Sequence, residues 1–181
     1  MKYASRQDFL KGFTIIETLV AISILTIAVA APMTLATQSL SSALYARDQI
    51  TAFHLAQGGV EALRSVRDGN ILESLLGNPT DVFTGIPQGG QKFVIDARDN
   101  SIELCNFSEC PPLRHNGELY GYGEGVEWQD TRFTRTLRTE SLGEDEFRVF
   151  VEVSWRTGTL PPRSFTIASN LYKWVDGDPE N

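Results

Sequence analysis

Apolar side chains dominate one continuous stretch near the N-terminus. Residues 13–31 read Phe-Thr-Ile-Ile-Glu-Thr-Leu-Val-Ala-Ile-Ser-Ile-Leu-Thr-Ile-Ala-Val-Ala-Ala, and Glu17 is their one charged side chain. This length is close to the roughly 20 residues that an α-helix needs to cross a bilayer. Arg6 and Lys11 precede the stretch, and basic residues there favour a cytoplasmic N-terminus. The pattern therefore predicts a single membrane-spanning helix.

The helical pattern continues beyond this stretch, where it becomes amphipathic. Apolar side chains recur at steps of three and four along one face: Phe53, Ala56, Val60 and Leu63. This spacing is typical of a helix with one buried side. We predict a long helix whose apolar half covers 13–31 and whose amphipathic half covers 32–70. It should be kinked or locally open at Pro32 and should stop at Asp68-Gly69-Asn70.

The amphipathic half also contains residues whose roles depend on its neighbours. Gly58-Gly59 lowers helix stability by about 1–2 kcal/mol, so the pair is either a tolerated weak spot or a place where a sheet approaches closely. His54 is predicted to be a packing or surface residue. Five charged side chains are predicted to lie away from the apolar stripe: Arg47, Asp48, Glu61, Arg64 and Arg67.

The rest of the chain, 71–181, has the pattern of a β-rich head. Apolar and polar residues alternate through 147–155, which indicates a half-buried strand. Segments around 133–137 and 165–167 are predicted to flank it in an antiparallel meander, and 92–97 with 101–104 is predicted to form a hairpin. Glycine and proline mark 77–91 and 108–128 as loops. With the helix packed through 53–66 against the sheet, the predicted fold class is α+β.

Composition and charge narrow the function. The chain has 181 residues and a formal net charge of −7, and three of its basic residues lie before Phe13. The remaining chain is therefore strongly acidic. Because phosphate contacts need clustered Lys and Arg, we expect no direct nucleic-acid binding.

The chain offers few residues for catalysis or metal binding. Cys105 and Cys110 could form a small disulfide in an oxidising compartment or remain free thiols. A metal site would need two further ligands, and the two histidines, His54 and His115, lie on separate segments. No common catalytic motif is present, so we expect no enzyme activity, no cofactor and no metal. Aromatic residues of the 107–128 region are either loop packing or an adhesive surface: Phe107, Tyr120, Tyr122 and Trp128.

Glu17 separates three interpretations of the apolar stretch. A secretory signal peptide would be cut near Ala28-Val29-Ala30, and a plain anchor would stay uncut. Neither benefits from a carboxylate at the membrane, which costs several kcal/mol unless it is paired or interfacial. A cut between Gly12 and Phe13 would instead create an α-amino group four residues from Glu17. In a filament, a neighbour's amino group could then pair with this carboxylate.

The run Lys11-Gly12-Phe13-Thr14-Ile15-Ile16-Glu17-Thr18-Leu19-Val20 resembles the type IV prepilin cleavage and methylation motif. The resemblance implies that a membrane aspartyl peptidase cuts between Gly12 and Phe13, releases the leader 1–12 and N-methylates Phe13. It also implies that Glu17 acts in assembly. More weakly, 52–68 is similar to the second helical half of minor pilins and minor pseudopilins.

The resemblance further implies a type IV pilin-like fold and a minor subunit that primes or tips a pilus-like filament used in adhesion, motility or DNA uptake. The implied partners are prepilin peptidase, other pilin or pseudopilin subunits, an inner-membrane assembly platform, and membrane lipid before assembly. The chain would be a single-pass protein of the bacterial cytoplasmic membrane with its head outside the cytoplasm. It would then enter an extracellular or periplasmic filament. The alternatives are a minor pseudopilin of a type II secretion system and a tethered or secreted ligand-binding module.

Overall fold

The structure is a computed structural model that describes residues 12–78, 80–106, 109–158 and 160–173. The chain divides into two compact units between Leu44 and Tyr45. One helix, α1, spans Ile15–Leu75. Within the described residues, eight strands follow it: β1 (Phe93–Ile95), β2 (Ile102–Leu104), β3 (Arg114–His115), β4 (Tyr120–Gly121), β5 (Gln129–Asp130), β6 (Phe133–Ser141), β7 (Glu146–Trp155) and β8 (Arg163–Tyr172).

The long helix is confirmed, but its predicted interruptions are not. Pro32 lies inside α1, which is uninterrupted there, so the predicted local opening is wrong, while the alternative of a kink stays a prediction. The predicted stop at Gly69 is also wrong. Beyond it, the Asn70 side-chain amide donates to the carbonyl of Val82 at 3.0 Å and to that of Thr84 at 2.9 Å. These tertiary contacts support another turn of helix where local sequence preference favours an end.

The helix ends at Leu75, where it is closed by a glycine cap. Gly77 has φ +90°, and its N–H donates to the Ser74 carbonyl at 3.1 Å. The Asn78 N–H donates to the Glu73 carbonyl, also at 3.1 Å. This pair of bonds is the Schellman motif, which needs a left-handed residue where Gly77 lies.

The main sheet has five antiparallel strands in the order β2-β1-β6-β7-β8. The predicted hairpin is confirmed, with Phe93 opposite Leu104 and Ile95 opposite Ile102. The predicted meander is confirmed as well: β7 pairs along its whole length with β8, and with β6 from Phe133↔Trp155 to Ser141↔Phe147. Strict alternation along these strands is what the sequence pattern detected.

The core of the head lies between α1 and this sheet, as the α+β prediction requires. Ala52, Ala56 and Leu63 of α1 are fully buried, as are Val149, Val151 and Val153 of β7. Phe53 is a wrong core prediction, because it is 40% exposed and meets Phe165 at a ring-centroid distance of 5.7 Å. The loop after α1 also contributes to the core, which the sequence pattern did not indicate: Val82, Phe83 and Ile86 are buried.

Two charged residues of α1 contradict the prediction that they face away from the core. The carboxylate of Asp48 is buried, and it accepts hydrogen bonds from Arg132 at 2.9 Å and from Thr157 at 2.7 Å. Arg67 is buried as well and donates to Asp68 at 2.7 Å. A buried charge is tolerated when it is paired and hydrogen-bonded. The partners of Asp48 lie far away in the chain, so the helical periodicity could not predict its burial.

A second sheet of three very short strands, in the order β4-β3-β5, was not predicted. It lies in the region rich in glycine and proline, and Arg114 bridges to Asp130 at 2.8 Å across it. Its aromatic residues pack within the head. The Tyr120 ring meets His115 at 4.5 Å, and the Arg98 guanidinium lies 4.5 Å over Trp128. Among the aromatics the structure describes here, loop packing is therefore favoured over an adhesive surface; Phe107 lies outside the described residues.

Candidate functional site

The candidate processing site lies just before α1. Gly12 and Phe13 precede the first helical residue, Ile15. Phe13 is 80% exposed, and a side chain added at Gly12 would meet no atom of the described residues within 4 Å. The described part of the fold therefore imposes no requirement for glycine at position 12. A requirement there would come from whatever protein binds this segment.

The first turn of α1 is held by a side-chain cap that the sequence reasoning missed. The Thr14 hydroxyl oxygen accepts a hydrogen bond from the Glu17 backbone N–H at 3.3 Å. Thr-x-x-Glu at a helix start is the capping-box pattern, in which the threonine side chain satisfies an unpaired N–H of the first turn. The spacing of Thr14 and Glu17 in the sequence would have revealed it.

Glu17 therefore has a local role beside any role in assembly. A carboxylate in the first turn is stabilised by about 0.3–1 kcal/mol through the positive end of the helix dipole. Its side chain is exposed, and none of the ion pairs within the described part of the chain involves it. The carboxylate is thus accessible to a partner outside this chain.

Hydroxyl groups in the apolar part of α1 are satisfied within the helix. Thr18 donates to the Ile15 carbonyl, Ser23 to that of Leu19 and Thr26 to that of Ser23, each at 2.8 Å. In a bilayer no water is available to such donors. Because each has an acceptor one turn back, these polar residues are compatible with a lipid surrounding.

Helix α1 is long and apolar enough to cross a membrane. Its most apolar stretch is not buried against any other part of the described chain. Among its exposed large side chains are Ile16, Leu19, Ile24 and Ile27. A contiguous surface of this kind is unfavourable in water. Lipid or the helices of other subunits can cover it.

The helix–sheet junction of the head explains the second glycine of the Gly58-Gly59 pair. A side-chain carbon at Gly59 would lie 3.1 Å from both Arg135 Cδ and Val151 Cγ1. Through this gap the buried Arg135 guanidinium donates to the carbonyls of Leu55 and Ile95. Close approach of the sheet is therefore the reason for glycine at position 59.

Asp96, Arg98 and Tyr122 form a polar cluster beside Arg135 that stabilises the fold. Burial alone would raise the pKa of Asp96. The carboxylate accepts hydrogen bonds from the Arg98 side chain and from the Tyr122 and Arg98 backbone N–H groups. Together these bonds outweigh the effect of burial and hold the pKa of Asp96 below its ordinary value. Burial raises the pKa of Tyr122 to about 12, and its hydroxyl donates to the Arg135 carbonyl at 3.3 Å. Asp96 stays ionised with its oxygens occupied, so it is poorly suited to act as a general base.

The two cysteines are joined: Cys105 and Cys110 form a disulfide directly after β2. His54 and His115 lie on different elements, α1 and β3. Among the described residues, no group of three or more His, Cys, Asp or Glu side chains is placed to hold a metal ion. The bridge closes a short surface loop, a role that suits an oxidising compartment.

The comparisons with known proteins bear on the N-terminal segment. Residues 11–31 match the prokaryotic N-terminal methylation motif, which is the hallmark of type IV prepilin-like proteins. No curated protein and no solved structure matches the chain. The matched range contains Gly12, Phe13, the Thr14 cap and Glu17, and it ends before Pro32.

Proposed function

We propose, from the premise that the chain is type IV prepilin-like at its N-terminus, that it is a minor subunit of a type IV pilus-like filament. The observation that carries the proposal is the methylation motif placed directly on the start of a long apolar helix. Such motifs mark structural subunits that are processed by prepilin peptidase and assembled with other pilin subunits.

The proposed mechanism begins at Gly12. Prepilin peptidase removes the leader 1–12 and N-methylates Phe13, which leaves a charged amino group at the start of α1. The segment 13–31 holds the chain in the cytoplasmic membrane, with 32–70 as the amphipathic half of the helix and 71–181 as the head outside the cytoplasm.

Assembly then exchanges lipid for protein. An inner-membrane assembly platform extracts the apolar helix into the fibre, where neighbouring helices cover the surface that lipid covered before. Hydrophobic burial is largely conserved in this exchange, so it gives little guidance on register. The Glu17 carboxylate and a neighbour's amino terminus supply that guidance, because each charge is costly in apolar surroundings until it is paired.

The minor role, as opposed to that of the abundant subunit, is supported by the similarity of 52–68 to minor subunits and by the long loops of the head. In this role the chain primes or tips a fibre used for adhesion, motility or DNA uptake. The same similarity extends to minor pseudopilins, so a subunit of a type II secretion system is the second candidate. In both, the chain is structural and has no enzyme activity.

Recovery in filaments tests the proposal. Cells that make the chain are sheared, and the filament fraction is probed with an antibody to the head, in parallel with cells that lack prepilin peptidase. We expect the chain in filaments only where the peptidase is present. A chain that stays in the membrane in both strains, or that is released without filaments, would instead be a tethered or secreted binding module.

A further inference from the structure

Within the part of the chain that the structure describes, the main sheet has one long open edge. Among the described residues, β8 pairs with β7 alone. The Lys173 N–H donates to the Asp145 carbonyl at 2.9 Å, and the register continues with Glu146 opposite Tyr172. Because backbone groups alternate sides along a strand, the odd-numbered residues of β8 bond to β7. Even-numbered residues such as Ala168 therefore direct their N–H and C=O groups to the open side.

This edge lacks the features that keep open edges from pairing. From Ser164 to Tyr172 the strand has no charged residue and no proline, and its register with β7 has no bulge. Soluble proteins usually protect an edge with charge, proline, a bulge or a short strand. The opposite edge is protected in this way, since β2 has three residues, including Glu103. The exposed edge of β8 is a ready template for another strand.

An apolar groove of about 310 Å³ lies beside this edge, on the side of the sheet that carries α1. It is lined by Ala46, Gln49, Ile50, Phe53 and Phe165. Ile50 is 60% exposed, so the groove presents apolar surface that this chain does not cover. A strand added to β8 would direct every second side chain toward this groove, and one aliphatic or aromatic side chain would cover it.

We propose that the β8 edge accepts a strand from the head of a different subunit in the same filament, which becomes the sixth strand of the sheet. The inference rests on the proposed function. Main-chain hydrogen bonds supply the attachment and the groove selects the side chain, as in other cases of strand addition. The added strand is uncharged in its middle, apolar on the α1 side and acidic at its ends, where it meets Arg163 and Lys173.

A second copy of this chain fits the edge less well. Two β8 strands paired antiparallel would bring Arg163 of each copy close to Lys173 of the other, and like charges across a strand pair are destabilising. The chain's other open edge, β2, spans three residues and would leave most of β8 uncovered. A strand of a different subunit has neither limit.

Site-specific photo-cross-linking tests the inference in cells that assemble the filament. A benzophenone amino acid replaces Ser164, which is exposed and lies on the open edge, and a control chain carries it at Glu152, exposed on the inner strand β7. Ala168→Pro removes one outward N–H without touching a bond to β7. Ala168→Lys adds a charge to the edge, and Ala168→Thr keeps both the N–H and neutrality.

We expect an adduct from position 164 with another methylated, prepilin-type subunit, mapped by mass spectrometry to a strand of its head. The adduct should fall at least about tenfold with Ala168→Pro and with Ala168→Lys, and persist with Ala168→Thr. Three results would overturn the inference: an adduct with a second copy alone, an adduct no stronger than that from position 152, or an adduct that Ala168→Pro and Ala168→Lys leave unchanged.

Filament recovery in the same cells separates the failure of this inference from the failure of the proposed function. A chain absent from filaments overturns the proposed function, and a chain in filaments without the adduct overturns the edge alone.

Discussion

Glu17→Ala should lower the amount of this chain recovered in filaments by at least about tenfold at equal membrane levels. In the proposed pairing, the substitution leaves a neighbour's amino terminus without a partner in apolar surroundings, and breaking such a pair costs about 3–5 kcal/mol. Each 1.4 kcal/mol corresponds to a factor of ten in an equilibrium. Quantitative mass spectrometry of membranes and sheared filaments gives the ratio.

Two matched variants separate the charge of Glu17 from its place in the helix cap. Glu17→Gln keeps a side chain suited to a capping box but removes the charge. Thr14→Ala removes the hydroxyl that accepts the Glu17 N–H and keeps the charge. We expect Glu17→Gln to assemble as poorly as Glu17→Ala, and Thr14→Ala to assemble nearly normally. If Glu17→Gln enters filaments like the unmodified chain, the carboxylate serves only the cap.

Gly59→Leu is expected to destabilise the head by about 2–4 kcal/mol, since it overpacks the core and displaces Arg135 from its backbone acceptors. A first side-chain carbon at this position already meets Arg135 and Val151 at 3.1 Å. For a chain of this size the loss corresponds to a fall in melting temperature of roughly 5–15 °C. Near-ultraviolet circular dichroism of the detergent-solubilised full chain follows the transition through the buried Trp155.

The adjacent glycine is the control for this prediction. A side-chain carbon at Gly58 would have its nearest neighbour, Arg135 Nη1, at 3.6 Å, an ordinary contact. Gly58→Ala should therefore keep the melting temperature or raise it, because alanine is favoured over glycine in a helix by about 1 kcal/mol. Equal melting of the Gly59→Leu chain and the unmodified chain would mean that α1 and β7 are not in close contact here.

The features that the sequence predicted well are those with a strong period. Alternation along β7 (Glu146–Trp155) predicted the strand and its buried face. The long apolar run predicted α1 up to Pro32. Glu17 was distinctive because a charge in such a run is costly unless it is paired or interfacial, and its pairing between subunits stays a prediction.

The failures share one physical cause, which is that tertiary contacts overrode local preference. Asp48 is buried because Arg132 and Thr157, far away in the chain, supply its hydrogen bonds. Asn70 extends the helix through contacts with the following loop. No pattern within the helix contains that information, so both positions were predicted from local signals that point the other way.

Parts of the candidate site were hidden for a different reason. The Thr14 cap is local and its pattern was present but overlooked. The role of Arg135 required knowing that β6 crosses α1 at Gly59. Short strands such as β3 and β5 have only two residues each, too few for any alternation to be recognised.

The intact mass of this chain, taken from filaments and from membranes, tests the origin of its N-terminus most directly. We expect one species that begins at Phe13 and carries a single added methyl group on its amino terminus. A chain that still begins at Met1, or one that begins near Ala31 after loss of the apolar helix, would contradict it.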